Sequence, residues 1–227
     1  MHFLFLGLVL LGLVFGPGLW VKRVLAKYSE PADRYETTGG ELARYLLDHH
    51  GLSGIRVEIS DNGDHYDPTE KAVRLTTDKF HGRSLTAIAV AAHEVGHAIQ
   101  DKAGYRPLRL RHRLVRSFRN VERLGAGILM ISPFAGALTR APSLGILMFL
   151  GGLMSLGTAT AVHLVTLPTE FDASFGRALP MLDRLGILKP NDRPHTRRLL
   201  RAAAFTYVAA SLMSLLNIAR WWAILRR

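Results

Sequence analysis

Apolar residues along this chain gather into four long blocks, and the segments between them carry polar residues at helical or alternating spacing. The first block, HFLFLGLVLLGLVFGPGLWV at residues 2–21, is long enough to cross a bilayer core as a helix, for which about twenty apolar residues suffice. It begins without Lys or Arg and is followed by KRVLAK, the reverse of a cleavable leader, so it is expected to remain as an anchor. Blocks at 124–138, 144–165 and 203–225 complete four predicted spans. The second is short and holds Pro133, which suits a tilted segment or a hairpin with the third through TRAPS.

The segment between the first two spans changes its periodicity in order. TTGGELARYLLDHHGL predicts an amphipathic helix from about Gly39 to His50, with Thr38 near the N-cap, Leu42, Tyr45 and Leu46 on one face, and Gly51 as the stop. IRVEIS and AVRLTT alternate like strands on either side of DNGDHYDPTEK, which reads as turn chemistry, so a β-hairpin is expected. Ser84 can cap the next helix, LTAIAVAAHEVGHAIQDKA, and Gly104 can end it. That helix is apolar nearly all round apart from His93, Glu94, His97 and Gln100, which predicts burial.

Composition narrows the chemistry. The chain has 227 residues, no cysteine and a formal charge of +11, so disulfides and thiolate metal sites are excluded. The charges hug the apolar blocks: Lys22, Arg23 and Lys27, the run from Arg106 to Arg123, and Arg193 to Arg201 all fall on one predicted side. They predict a cytoplasmic face and contact with anionic lipid, and no nucleic-acid module accompanies them. Arg220, Arg226 and Arg227 fit this topology less well.

His93 and His97, four apart on a helix, lie about 40° apart around its axis and roughly 6 Å apart along it, so both imidazoles can reach one metal ion. With Glu94 between them they form H-E-x-x-H, the zinc-peptidase pattern in which the glutamate handles the proton of a zinc-activated water. Gly96 leaves room for a ligand or a neighbouring helix to approach. Three ionisable groups on one apolar helix are costly without a partner, which argues against ordinary core histidines.

A catalytic zinc needs a third protein ligand. The sequence after His97, AIQDKAGYRP, supplies no histidine at the spacing of metzincins. Glu122 and Glu170 remain by residue type; Glu122 sits in an arginine-rich run that explains it, so Glu170 in TLPTEFDASFGRAL is preferred. The competing explanation has Pro168 opening a helix with Glu170 in its first turn, favoured by the dipole. Leu167 in place of a capping residue weakens that explanation. Ser174 and Arg177 can orient or balance the Glu170 carboxylate, and Asp172 can accept from a ligand histidine.

DHYDP, VAAHEVGHAIQ with GYRPLRLR close behind, and LPTEFDAS occur here in the order, and among the apolar blocks, of the YugP-like family of bacterial membrane-bound neutral zinc metallopeptidases, which the chain resembles over nearly its whole length. The resemblance implies zinc held by His93, His97 and Glu170, with Glu94 catalytic. Wider membrane peptidases that pair H-E-x-x-H with E-x-x-x-D, HtpX-like proteases among them, carry an aspartate where this chain has Ser174. That substitution leaves the partner of one ligand histidine open.

Other polar residues carry less. His163 lies seven before Glu170 in a predicted span and suits interfacial packing as well as function. His49 and His50 suit a helix C-terminus. Tyr66, Tyr105 and Arg177 are candidate donors to an oxyanion, and AVRLTT is a candidate strand for pairing a peptide along the cleft. The expected fold is a mainly α membrane protein with about four transmembrane helices and a small cytosolic α+β zincin-like part. Its divisions are an anchor at 1–22, a cytosolic part at 23–123, a transmembrane hairpin at 124–166, a cytosolic helix at 167–202 and a last span at 203–227. The expected function is that of a multi-pass cell-membrane zinc metallopeptidase facing the cytoplasm, with peptide or membrane-protein substrates and the lipid bilayer as partners and Zn2+ as cofactor. A hydrolase of non-peptide substrates and a non-catalytic zinc-stabilised scaffold are the alternatives.

Overall fold

The structure, a computed structural model, describes residues 2–111, 113–114, 124, 127–128, 131–132, 134–135, 138, 142–206 and 209, with the backbone alone for 2–8, 10, 13–14, 142 and 152–165. In chain order the elements are α1 (His2–Lys27), α2 (Gly39–His49), β1 (Arg56–Ile59), β2 (His65–Asp67), β3 (Ala72–Leu75), α3 (Thr77–Phe80) and α4 (Leu85–Lys102). There follow α5 (Pro142–Phe171), a π-helical segment (Asp172–Ala178), α6 (Leu179–Arg184) and a helix at residues 192–206, here α7. The chain divides into two compact units: residues 1–18, 110–166 and 207–227 in one, 19–109 and 167–206 in the other.

The first unit is helical at every described residue. Among the described residues no helix is long and apolar enough to cross a membrane, and this overturns the expected four-span architecture: the chain is mixed, mainly α with one small sheet. The reason is visible where apolar blocks enter the second unit. Val21 at the end of the first block and Ala204 at the start of the last are buried, and Val24, Leu199, Leu200 and Ala202 beside them lie in the core, so these apolar side chains close a protein interior. A helix that is apolar all round is covered by either a protein core or a bilayer, and the apolar pattern alone does not say which. Seven of the fifteen residues of the expected span at 124–138, and all but residues 203–206 and 209 of that at 203–225, lie outside the described residues.

Local signals in the second unit act as expected. Thr38 and Glu41 form a reciprocal capping box on α2, the Thr38 hydroxyl accepting from the Glu41 N–H (3.2 Å) and the Glu41 carboxylate from the Thr38 N–H (2.8 Å). Gly51 then takes φ +63°, which only glycine adopts without strain, and ends the helix. The Ser84 hydroxyl caps α4, accepting from the Ala87 N–H at 3.2 Å, and Gly104 at φ +62° follows its end.

The sheet departs from expectation. Its order is β1-β3-β2, with β1 parallel to β3 and β2 antiparallel to it. The hairpin is therefore β2–β3, drawn from within the segment expected to be a turn, and the two predicted strands are parallel neighbours. Tyr66 supplies the reason: its side chain is buried and its hydroxyl donates to Asp101 of α4 at 2.7 Å, pinning DHYDP against the motif helix. Arg74 on β3 binds Glu58 of β1 (3.1 Å) and Asp67 of β2 (2.6 Å), stitching all three strands. With both edges of β3 paired, AVRLTT offers no free backbone to a peptide, and that expectation is withdrawn. The core lies between α2, the sheet, α4 and the π-helical segment, with Leu46, Leu47, Val73, Leu75, Ile88 and Val95 fully buried.

Candidate metal centre

α4 brings His93, Glu94 and His97 into this core, where they are 4%, 6% and 5% exposed, while the last turn of α5 brings Glu170, wholly buried. Pro168 lies inside α5 and opens no helix, so Glu170 does not stand in a first turn and the dipole does not account for it. The two helices meet closely because of Gly96: a Cβ there would stand 2.7 Å from the Ala173 carbonyl oxygen. The expected close approach at Gly96 is thus by the backbone of the π-helical segment.

The ligand atoms converge. Nε2 of His93 lies 3.3 Å from Oε2 of Glu170, and Nε2 of His97 lies 3.2 Å from the same oxygen. The imidazole planes stand at 81° with centroids 4.8 Å apart. One ligand atom from each of the three residues falls within 4.8 Å of the others, a grouping able to hold a metal ion. Glu122 lies outside the described residues.

Hydrogen bonds on the far side of each imidazole determine which nitrogen faces the carboxylate with a lone pair. The Gln100 amide donates through Nε2 to the Thr169 carbonyl and to the Asp172 carboxylate, both at 2.8 Å, and both partners accept only. Its oxygen is therefore turned to His97 Nδ1 at 3.0 Å, so that nitrogen carries a proton, and in the neutral ring Nε2 keeps its lone pair. On the other ring, Ser174 donates its one proton to the Leu200 carbonyl (3.0 Å) and must accept from His93 Nδ1 (3.0 Å). With the rings neutral, both Nε2 lone pairs face a Glu170 carboxylate oxygen, an arrangement that a cation held between them relieves. A tetrahedral zinc with N and O ligands at 2.0–2.2 Å has ligand-to-ligand edges of roughly 3.3–3.6 Å, and the two observed separations, 3.3 and 3.2 Å, lie at the short end of that range. The donor set fits zinc.

The sequence reading placed Ser174 near the Glu170 carboxylate; it holds His93 instead. Asp172 does not touch a ligand ring directly and reaches His97 through Gln100. Arg177, expected to balance Glu170, donates through Nε to Asp172 at 2.9 Å. These two are five residues apart, which an α-helix would splay; the i→i+5 winding of the π-helical segment stacks them. Such single π turns concentrate at functional sites. Gln100 is the residue that sequence reasoning passed over. Its signal was an uncharged polar side chain at i+3 from His97 on a helix otherwise apolar, and it proves wholly buried.

Of the three candidate oxyanion donors, Tyr66 is engaged with Asp101, and burial followed by that bond pushes its hydroxyl well above the usual tyrosine range. Arg177 has its guanidinium 5.7 Å from the Tyr105 ring centroid, and burial raises the Tyr105 hydroxyl. His50 packs on Met181, Nε2 to Sδ 3.1 Å; burial, then His49 and Lys102, hold it below the ordinary histidine range. It therefore stays neutral near pH 7 and does not serve as a cation for the end of α2. The side chain of His163 lies outside the described residues.

A buried two-histidine, one-glutamate set on a helix pair, its rings fixed by hydrogen bonds behind them, is a group able to hold a metal ion in the manner of a zincin. The comparison with known proteins agrees: residues 3–226 match the family model described as "Putative neutral zinc metallopeptidase", and the chain belongs to that family, whose metal is zinc. It is 39% identical over 224 residues to the "Putative membrane protease YugP" of Bacillus subtilis (strain 168), covering 97% of this chain and 95% of that one. No solved structure matches the chain.

Proposed function

We propose that this chain is a zinc-dependent peptidase in which His93, His97 and Glu170 hold the metal and Glu94 is the general base. The supporting observation is the convergence of two Nε2 atoms on one Glu170 oxygen, at 3.3 and 3.2 Å. Zinc bound there would supply a Lewis acid for the scissile carbonyl and lower the pKa of a water. Glu94, next to His93 on the same buried helix, takes the proton of the attacking water and returns it to the leaving amine. Gln100 and Ser174 keep both rings in the tautomer that ligation needs. The substrates are peptide bonds of unfolded or membrane-associated polypeptides.

The Bacillus subtilis relative is named a membrane protease, and association of this chain with a membrane is part of the proposal. Large apolar side chains of the first unit support it: Phe134 is 73% exposed, Leu138 87% and Leu147 68%. Exposed Lys22, Arg23 and Arg201 suit anionic lipid at the cytoplasmic leaflet.

The decisive comparison is Glu94→Gln with wild type. The variant is expected to fold and bind zinc while losing at least about a hundredfold in the rate of degrading an unfolded model protein, the scale of a removed general base. Glu170→Ala is expected to lose the zinc. A Glu94→Gln protein as active as wild type removes the general-base role, and a wild-type protein that holds zinc but cleaves neither peptides nor proteins returns the scaffold reading. Recovery of the wild-type chain in the soluble fraction of lysed cells, without detergent, refutes membrane association.

A further inference from the structure

Asp172 and Arg177 have no contact with the three ligand atoms, yet they end a continuous chain of bonds that begins at one of them. From inside outward it runs from His97 Nδ1 to Gln100 Oε1 (3.0 Å), from Gln100 Nε2 to Asp172 Oδ2 (2.8 Å), and from Arg177 Nε to the same carboxylate oxygen (2.9 Å). Gln100 is wholly buried, so each of its amide groups must be met by protein. If its Nε2 lost Asp172, the amide orientation would rest on the Thr169 carbonyl alone, and the cost of the rotated amide that presents N–H to His97 would fall. An N–H facing Nδ1 selects the opposite tautomer, in which Nε2 carries the proton and cannot ligate.

Two features show that the outer end is built for this. The π winding brings residues 172 and 177 into register, which ordinary helix would not. Gly176 leaves the carboxylate its place, since a Cβ there would stand 2.6 Å from Asp172 Oδ1. Arg177 fixes the carboxylate's charge and direction from the half-buried side, with its guanidinium over Tyr105.

We propose that Asp172, fixed by Arg177, is a positioning residue for the metal: it sets the Gln100 amide orientation and through it the tautomer of His97. This rests on the zinc ligation proposed above. It gives the residue two beyond the glutamate ligand a role distinct from that of Ser174, which serves the other histidine directly.

The test is a double-mutant cycle in zinc affinity, read by competition with a chromophoric chelator on the full chain and requiring no hydrolysis. Gln100→Leu is expected to weaken zinc by 10–100-fold, the usual cost of losing such a partner, and Asp172→Ala by at least about fivefold. Asp172→Asn, which keeps an acceptor for Gln100, is expected to recover most of that loss. Asp172→Ala added to Gln100→Leu should cost less than twofold more, because the route to His97 is already cut. Visible spectra of the cobalt-substituted proteins should change in step with the affinities. Independent, multiplying losses would overturn the proposal in favour of general stabilisation by Asp172, and so would a Gln100→Leu protein within twofold of wild type. Failure of the wild-type chain to bind zinc would instead sink the ligation proposal, and this inference with it.

Discussion

Replacing Gly96 with alanine sets two effects of similar size against each other on the helix that carries the metal-binding histidines. Alanine is the better helix former by about 1 kcal/mol, which favours the variant. Against this, the new methyl would lie 2.7 Å from the Ala173 carbonyl oxygen and 3.3 Å from its carbonyl carbon and Cα. Favourable contact between heavy atoms begins near about 3.5 Å, so α4 and the π-helical segment must separate by something under 1 Å. The obstacle is backbone in a buried segment whose next residue, Ser174, is tied to both His93 and Leu200, so it cannot swing aside as a side-chain end would. Overpacking of this kind costs about 1–3 kcal/mol, and the balance is a net loss of up to about 2 kcal/mol. For a chain of this size that lowers Tm by up to roughly 4–8 °C, measured by circular dichroism with a chelator present so that only the metal-free fold is read. The same separation moves Glu170 relative to the imidazoles beyond the roughly 0.5 Å that a working site tolerates, so zinc affinity should fall at least about tenfold. Gly12→Ala, on α1 with nothing within 4 Å, is the control and should be neutral or slightly stabilising. A Gly96→Ala protein that melts at or above wild type and binds zinc within twofold of it would refute the packing argument.

Tyr66→Phe removes the 2.7 Å bond to Asp101 and should lower stability by about 1 kcal/mol in urea titrations while leaving kcat within about twofold; a loss of kcat of tenfold or more with intact folding would make Tyr66 a catalytic donor after all. Asp192 joins Arg34 and Tyr35 at the start of α7; burial pushes its carboxyl up, but the hydrogen bonds from Arg34 and Tyr35 outweigh burial and hold it below the usual carboxylate range. Its folded pKa is thus below the unfolded one, so its stabilisation is fully present above the ordinary value near 3.9 and drains away as pH falls through the folded value. Unfolding free energies from pH 7 to pH 3 should fall more steeply for wild type than for Asp192→Asn, which should cost about 1.5–3 kcal/mol at pH 7 and nothing further on acidification from this position. Parallel pH curves for the two proteins would contradict that assignment.

Several elements were readable locally because the forces that fix them are local. The Thr38–Glu41 capping box, the Ser84 cap and the glycines at 51 and 104 act within one turn of chain, and α2 and α4 start and stop where those residues stand. The pairing of His93 with His97 needs only helical pitch. The sheet was not readable in this way. Whether RVEI and AVRL pair as a hairpin or as parallel neighbours depends on where DHYDP finds a partner, and that partner, Asp101, is 35 residues away. The long apolar blocks misled for a related reason, since apolar length states that a helix avoids water and leaves open whether protein or lipid covers it.

For the metal centre the division is sharper. Sequence alone settled the chemistry on offer: an H-E-x-x-H helix, no thiols, and a short choice of carboxylates for a third ligand. Tertiary structure decided the rest. It set the Glu170 carboxylate against both Nε2 atoms, gave Ser174 to His93, and routed Asp172 through Gln100 with the help of a π turn that no residue pattern announced. Spacing along one helix constrains which side chains share a face. Which nitrogen of a ring is bare depends on donors and acceptors from other elements, and those meet only when the chain has packed.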